Sequence, residues 1–287
     1  MKYTVLQFMK QFPDDTTCLE HLFITRFGNR DDFGCPKCGE VGKYRKLTNM
    51  PAYTCNCGHH VHPMKGTPFE RSTTPLQKWF YAMYLFTTSR HGVPAKELQR
   101  QLGVTYKTAW RMGHEIRKYM AIVDGEPPLS GIVEIDETLI GGVNEGTGNH
   151  LKNKAILFGM MERGGDVITK VVPNLKRMSL FPHIDAYIEE NSEIHSDELR
   201  SYETLGYGWR GYKHKTVKHR YGEYVSRDGS THVNSLEGYW RMLQRSIAGT
   251  HIHVSPKHLE KYAKEFEFRF NMRKNPELMF SRLLAAF

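Results

Sequence analysis

The sequence holds no apolar run near the roughly 18 residues of a membrane-spanning helix, which excludes that class. Its first residues, MKYTVLQFMKQFPDD, break their apolar pattern early and make a poor signal peptide. A cytoplasmic protein is therefore expected. Cysteine is scarce, with five in 287 residues and none after Cys57, so no disulfide framework staples the chain. No motif marks a serine or tyrosine nucleophile. What remains is ordinary apolar content on a chain long enough to bury a sizeable core in about two domains.

The net charge of +9 is unevenly spread. Residues 1–126 carry 18 Lys and Arg against 11 Asp and Glu. Residues 127–204 reverse the balance, 7 against 13, and residues 205–275 restore it, 14 against 6. An acidic centre between basic flanks fits a metal site set among phosphate-binding surfaces. A single Lys-rich run is usually just a solvated face, so the charge needs independent support.

Four cysteines form CPKC (Cys35, Cys38) and CNC (Cys55, Cys57). Two close pairs about twenty residues apart, in a reducing compartment, read as a zinc ribbon with four thiolates. Gly39 and Gly58 follow the pairs and suit the tight turns such sites use. The second pair is one residue shorter than the usual C-x-x-C, which leaves His59, His60 or His62 as substitutes for one thiolate. Cys18 stands alone in an apparent helix and reads as core.

The next stretch is helical. LQKWFYAMYLFTTSR puts Trp79, Phe80, Met83, Tyr84 and Phe86 on an apolar stripe. A short helix to Leu102, the turn Gly103-Val104-Thr105 with Thr105 as N-cap, and a basic helix from Tyr106 to Met120 describe a helix-turn-helix. In that motif the second helix enters the DNA major groove, and Tyr106, Lys107 and Arg111 lie nearest bases or phosphates. An ordinary helical bundle would share the pattern. Asp124-Gly125-Glu126-Pro127-Pro128 ends the region.

Strand patterns follow: residues 131–135, 155–161, a Gly164-Gly165 hairpin and 167–172. An amphipathic helix over 180–190 precedes a short strand ending at Asp197. Hairpin strands, a helix and a strand ending in Asp give the order of a ribonuclease-H-like domain, the α/β part of a multi-domain chain. Its first strand carries Asp136. A third acidic segment, HVNSLE, opens a helix with Asn234 and Glu237 three residues apart on one face. Oxygen donors from two strand ends and a helix suit Mg²⁺ or Mn²⁺. Alternation turns Glu137 and Glu198 to the opposite side from Asp136 and Asp197, leaving Glu134, Glu137 and Glu198 as flanking acids. Lys213, Lys215, Lys218 and Arg220 form a basic segment expected to touch phosphates. Trp240 is expected in the core beneath the helix. His251, His253 and His258 read as surface or DNA-facing groups, not metal ligands.

The order CPKCG, YTCNCGHH, GTPFE, STTPLQKWFYAMYL, VTYKTAWRM, EIDETLIGG, HSDE and HVNSLEGYWRMLQRSIAGTHIHVS resembles the zinc-ribbon DDE transposases of bacterial insertion sequences, relatives of the Merlin transposons. The resemblance covers nearly the whole chain. It implies a nucleoid-associated enzyme that binds terminal inverted repeats and target DNA, cuts and joins strands with two Mg²⁺ or Mn²⁺ ions, and works as an oligomer, at least a dimer. Asp136 and Asp197 match the first two catalytic acids. The third position is shared by Glu237, ranked first because a carboxylate neutralises Mg²⁺ better, and Asn234. The group usually has a basic residue seven positions after that Glu; Gln244 stands there, with Arg241 or Arg245 nearby as substitutes. The expected domains are 1–70 (helix and zinc ribbon), 71–124 (helix-turn-helix) and 129–287 (ribonuclease-H-like catalytic core with C-terminal helices). A non-catalytic regulator built on ribbon and helix-turn-helix, or a structure-specific nuclease, remain as alternatives.

Overall fold

A computed structural model describes residues 3–141, 154–208, 210–218, 225–226 and 228–287. The chain forms two compact units. The first comprises Met1–Ser89, Ala95–Tyr119 and Asn275–Phe287; the second comprises Arg90–Pro94 and Met120–Lys274. Among the described residues no helix is long and apolar enough to cross a membrane.

In the first unit, α1 (Val5–Gln11) is closed by a reciprocal box between Thr4 and Gln7. Asp14 caps α2 (Asp15–Phe27), accepting the Thr17 amide at 2.8 Å. Cys18 is fully buried there. A small antiparallel sheet follows, β1 (Arg45–Lys46), β2 (Tyr53–Thr54) and β3 (His60–Val61). Helix α3 (Leu76–Thr88) is apolar nearly all round and buries seven residues, among them Trp79, Phe80 and Phe86. Phe8, Phe12 and Tyr84 pack edge-on about Phe280 of the C-terminal helix Met279–Leu284, at ring separations of 5.9–6.1 Å. Residues 275–287, expected with the catalytic core, therefore cluster in this unit.

Helix α4 (Ala95–Leu102) and helix α5 (Tyr106–Asp124) are joined by a three-residue turn. Gly103 there adopts φ +60°, a backbone region closed to most side chains. The Thr105 hydroxyl accepts the Thr108 amide at 3.2 Å, as an N-cap does. Ala109, Met112 and Ile116 form the buried stripe of α5. Trp110 sits at its edge, its ring 3.9 Å from that of His114. Arg117 is buried too, with its guanidinium 5.0 Å from the Phe86 ring centre.

The second unit is built on a five-stranded sheet. Its strands are β4 (Ile132–Gly141), β5 (Lys154–Glu162), β6 (Val167–Val172), β7 (Glu193–Ser196) and β8 (Lys213–Thr216), in the order β6-β5-β4-β7-β8. The first three form an antiparallel meander. Helix α6 (Arg177–Tyr187) then crosses over, and β7 and β8 add on in parallel beside β4. This is the topology of a ribonuclease-H-like fold. Helix α6 starts and ends three residues before its expected bounds, because Ile188 turns extended to bridge Leu129.

Strand β4 runs to Gly141, six residues past its apolar stretch, so Asp136 stands mid-strand. Both faces of the sheet are covered. Val133 and Ile135 pack with Phe158, Ile194, Leu180 and Ile184 on the α6 side. Ile140 packs with Ala155, Leu157 and Met161 on the other, beneath α7 (Asn234–Ser246) and α8 (Pro256–Asn271). By alternation Glu134, Asp136 and Thr138 share that second face.

Candidate active site and metal centre

The acids expected at the site come from adjacent elements. Strands β4 and β7 pair in parallel, with Val133 opposite Ile194 and Glu134 opposite His195. Two residues beyond that last pair lie Asp136, on the face that α7 covers, and Asp197, just past the end of β7. On its other side Asp136 pairs with Gly159 of β5.

Helix α7 is fastened to β4 at three successive same-face residues. Glu134 accepts the amides of Ser235 at 2.9 Å and Leu236 at 3.1 Å, and the Ser235 hydroxyl at 2.9 Å. The helix has no side-chain N-cap of its own, with Val233 at the capping position, so a carboxylate from the sheet takes that role. Asp136 accepts the Trp240 indole N–H at 3.0 Å. The Thr138 hydroxyl accepts from Gln244 at 2.7 Å. Gln244, where the resemblance expects a basic residue, thus tethers the helix to the strand.

These contacts fix how α7 is rotated. At about 100° per residue, Glu237 lies within about 60° of both Trp240 and Gln244, the stripe facing β4. Asn234 lies about 60° further round and is exposed. Arg241 donates to Glu237 at 3.0 Å. Arg245 is exposed.

Burial first, and then the charge of Glu137, push the Asp136 carboxyl up to about 7, with Asp197 adding to the effect. Glu137 lies on the opposite face of β4, where the Tyr202 hydroxyl donates to it at 2.8 Å. It does not escape the acids across the strand: burial and the charge of Asp197 raise it too, to about 7, against the Tyr202 bond. The same carboxylates, after burial, drive the Tyr202 phenol well above its ordinary range. Asp197 itself accepts the Leu199 amide at 3.0 Å. No three of these acids have ligand oxygens within 4.8 Å of one another, but their charges oppose one another, a strain that a hard divalent cation relieves.

In the first unit the four cysteines come together. One ligand atom from each of Cys35, Cys38, Cys55 and Cys57 lies within 4.8 Å of the others, and this is the one such cluster among the described residues. Sγ–Sγ distances are 3.7 Å for Cys35–Cys57 and for Cys38–Cys55. The glycine turns close each pair, with the Gly39 amide on Cys35 and the Gly58 amide on Cys55. The shortened C-x-C spacing therefore needs no histidine. His59 instead donates from Nδ1 to the Tyr44 hydroxyl at 2.8 Å, whose one proton goes to Cys35 at 3.3 Å. Burial opposes the Cys35 thiolate, but the Tyr44 hydroxyl and the Cys38 and Lys37 amides outweigh it and pull the thiol down to about 5. The cluster's geometry and one ready thiolate fit a tetrahedral metal.

The expected DNA-facing residues are on the surface where described. Tyr106, Lys107 and Arg111 are exposed on the N-terminal half of α5, and Arg111 bonds Ser72 at 3.2 Å. Lys213 and Lys215 project from edge strand β8, and Lys215 pairs with Glu193 at 2.8 Å. Lys218 is exposed beyond it; Arg220 lies outside the described residues.

The family described as ISXO2-like transposase domain matches residues 128–271. The chain belongs to this family. A transposase zinc-ribbon domain also matches, over residues 13–60. A protein of the transposable element ISH50 from Halobacterium salinarum, itself described as uncharacterized, is 27% identical over 270 residues, covering 86% of this chain and 88% of the relative. An uncharacterized transposase-like protein of Haemophilus influenzae is 28% identical over 105 residues, 37% of this chain and 80% of its own length. The solved structure titled a pre-cleavage Mos1 transpososome matches at a TM-score of 0.28 and 13% identity, over 72% of this chain and 78% of that one. The ISXO2-like transposase domain thus coincides with the ribonuclease-H-like unit that carries the acids, and the ribbon match with the four cysteines.

Sequence reasoning missed Glu134 as the cap of α7. The available signal was its parity: it lies two residues before Asp136, on the same face, and no capping residue precedes α7.

Proposed function

We propose that the protein is a DNA transposase that binds the terminal inverted repeats of its insertion sequence and catalyses metal-dependent strand cleavage and strand transfer. The observation that carries this reading is the parallel pairing of β4 with β7. It puts Asp136 and Asp197 two residues beyond a matched pair, under the helix that presents Glu237.

Asp136, Asp197 and Glu237 would hold two Mg²⁺ or Mn²⁺ ions, with Asp136 central and Asn234 the alternative to Glu237. Ions held there supply activation of the attacking hydroxyl and stabilisation of the leaving oxygen in an in-line displacement. Trp240 steadies the Asp136 carboxylate at one oxygen. Arg241, beside Glu237, is available to a phosphate. No covalent enzyme–DNA link is needed. In the first unit, zinc on the four thiolates would stiffen the ribbon. The α4–turn–α5 pair would read DNA through Tyr106, Lys107 and Arg111, and Lys213, Lys215, Lys218 and Arg220 would hold phosphates. Pairing two DNA ends requires at least a dimer.

The test is cleavage at the element's own inverted-repeat ends with Mg²⁺. Asp136→Ala and Asp197→Ala should each lose cleavage by several orders of magnitude while still binding the ends. Glu237→Ala should lose more than Asn234→Ala. Full cleavage in the Asp136 and Asp197 variants refutes the reading.

A further inference from the structure

The three acid-bearing segments share a second relationship. Glu134, His195 and His232 stand two positions before Asp136, Asp197 and Asn234. All three meet one side chain, Arg163, at the start of the β5–β6 turn. Its Nε donates to Glu134 Oε1 at 3.2 Å. One terminal nitrogen donates to His195 Nδ1 at 3.0 Å and to the His232 carbonyl at 3.2 Å, and lies 3.3 Å from His232 Nδ1. The other donates to the Ser230 carbonyl at 2.9 Å. Glu134 and His195 are fully buried. Because His195 Nδ1 accepts, its ring proton sits on Nε2 and donates to Glu193 at 2.7 Å.

We propose that Arg163 is the positioning residue of the active site. Its planar fork ties β4, β7 and the approach to α7 in one arrangement, which positions Asp136 and Asp197 two residues beyond Glu134 and His195, and the start of the helix that carries Glu237. The inference rests on Asp136, Asp197 and Glu237 being the metal ligands. Lysine cannot substitute: it is a point donor, whereas guanidinium offers five N–H groups in fixed directions. The neighbouring bonds specify the role further. Glu134 fixes the height of α7 through the Ser235 and Leu236 amides, and Arg163 fixes Glu134. Groups that orient metal ligands without touching the metal typically change affinity by about 10- to 100-fold when removed.

The experiment uses the full chain and follows both Mn²⁺ binding by calorimetry and the Mn²⁺ dependence of end cleavage. Arg163→Lys is one variant. The pair Arg163→Met with Glu134→Gln is the second; it leaves no unpaired buried charge and so keeps the test valid if the lysine variant does not fold. Ile184→Ala, on the face of α6 buried against the sheet, is the control for lost stability alone. The expected result is Mn²⁺ affinity weakened by about 10- to 100-fold in the Arg163 variants, with cleavage partly recovered at high Mn²⁺. Ile184→Ala should keep wild-type affinity despite a lowered melting temperature. Wild-type affinity in folded Arg163 variants, or an equal loss in Ile184→Ala, overturns the proposal. A wild-type protein that neither binds Mn²⁺ nor cleaves overturns the reading of the acids, and the role of Arg163 with it.

Discussion

The indole of Trp240 lies over Gly159 and donates to Asp136 at 3.0 Å. Gly159 is the residue paired with Asp136 across the β4–β5 ladder. A Cβ at Gly159 would stand 2.5 Å from Trp240 Cζ2 and 2.7 Å from Cη2. A missing side chain on one strand thus admits the group that steadies the carboxylate on the next. Gly159→Ala should destabilise the protein by ~1–3 kcal/mol through overpacking, and it should lower cleavage by tilting the indole off Asp136. Trp240→Phe removes the N–H together with one ring of the indole, so it should cost ~1–3 kcal/mol through the lost hydrogen bond and the space left behind. Denaturant unfolding of both variants is the check; an unchanged midpoint for Gly159→Ala contradicts the packing described.

The folded-state value of about 7 for Asp136, set by burial and then by Glu137, lies above its ordinary value of 3.8. Without divalent metal the native state therefore holds more protons than the unfolded chain between those values. The stabilising contribution is fully present below about pH 4 and is lost as pH rises through about 7. Thermal melts of metal-free protein between pH 5 and 8 should show this fall, and Asp136→Asn should lessen it, with Glu137, also raised to about 7, carrying part of the remainder. Added Mg²⁺ should stabilise more as pH rises, because it binds the ionised form. An Mg²⁺ effect independent of pH would argue against binding at this carboxylate.

The ribbon predicts one zinc per chain, measurable by elemental analysis. Cys38→Ser or Cys57→Ser should lose it and unfold the region around β1–β3, since structural zinc contributes folding energy directly. Tyr44→Phe should retain zinc but release it faster to a chelator, because the hydroxyl supports the Cys35 thiolate. Full-length protein that purifies without zinc contradicts the site.

The proposed DNA contact through α5 and β8 predicts a salt signature. Lys107→Ala and Lys213→Ala should each weaken binding to inverted-repeat DNA and reduce the slope of log affinity against log salt by about 1. Arg111→Ala should also reduce preference for the repeat over unrelated DNA if it reads bases. Unchanged slopes would return these residues to the solvated surface.

Much of this was legible in the residues. The two cysteine pairs and the turn at Gly103 announce themselves by spacing, because thiolate sites and turns impose local rules, and the three acid segments stand out by the strand and helix patterns around them. The extension of β4 to Gly141 was not, since Asp136, Glu137 and Thr138 carry no apolar alternation; pairing with β5 supplies the order instead. Nor was the hub at Arg163, whose partners lie 29 to 69 positions away. The packing of Phe280 on Phe8 and Phe12 links the two chain ends, and no local pattern encodes such a contact. Glu137 shows the limit of alternation: its side chain does point to the other face, yet its charge still reaches Asp136 and Asp197 through the thickness of one strand.

The central claim is that Asp136 and Asp197 hold the ions that join as well as cut. The most direct measurement supplies a pre-cleaved inverted-repeat end with a free 3′-OH, target plasmid and Mg²⁺, and scores covalent joining. Wild-type protein should join the end to the target, and Asp136→Asn and Asp197→Asn should bind the same DNA without joining it. Joining that persists in either variant, or cleavage by wild type that never yields a joined product, contradicts the account.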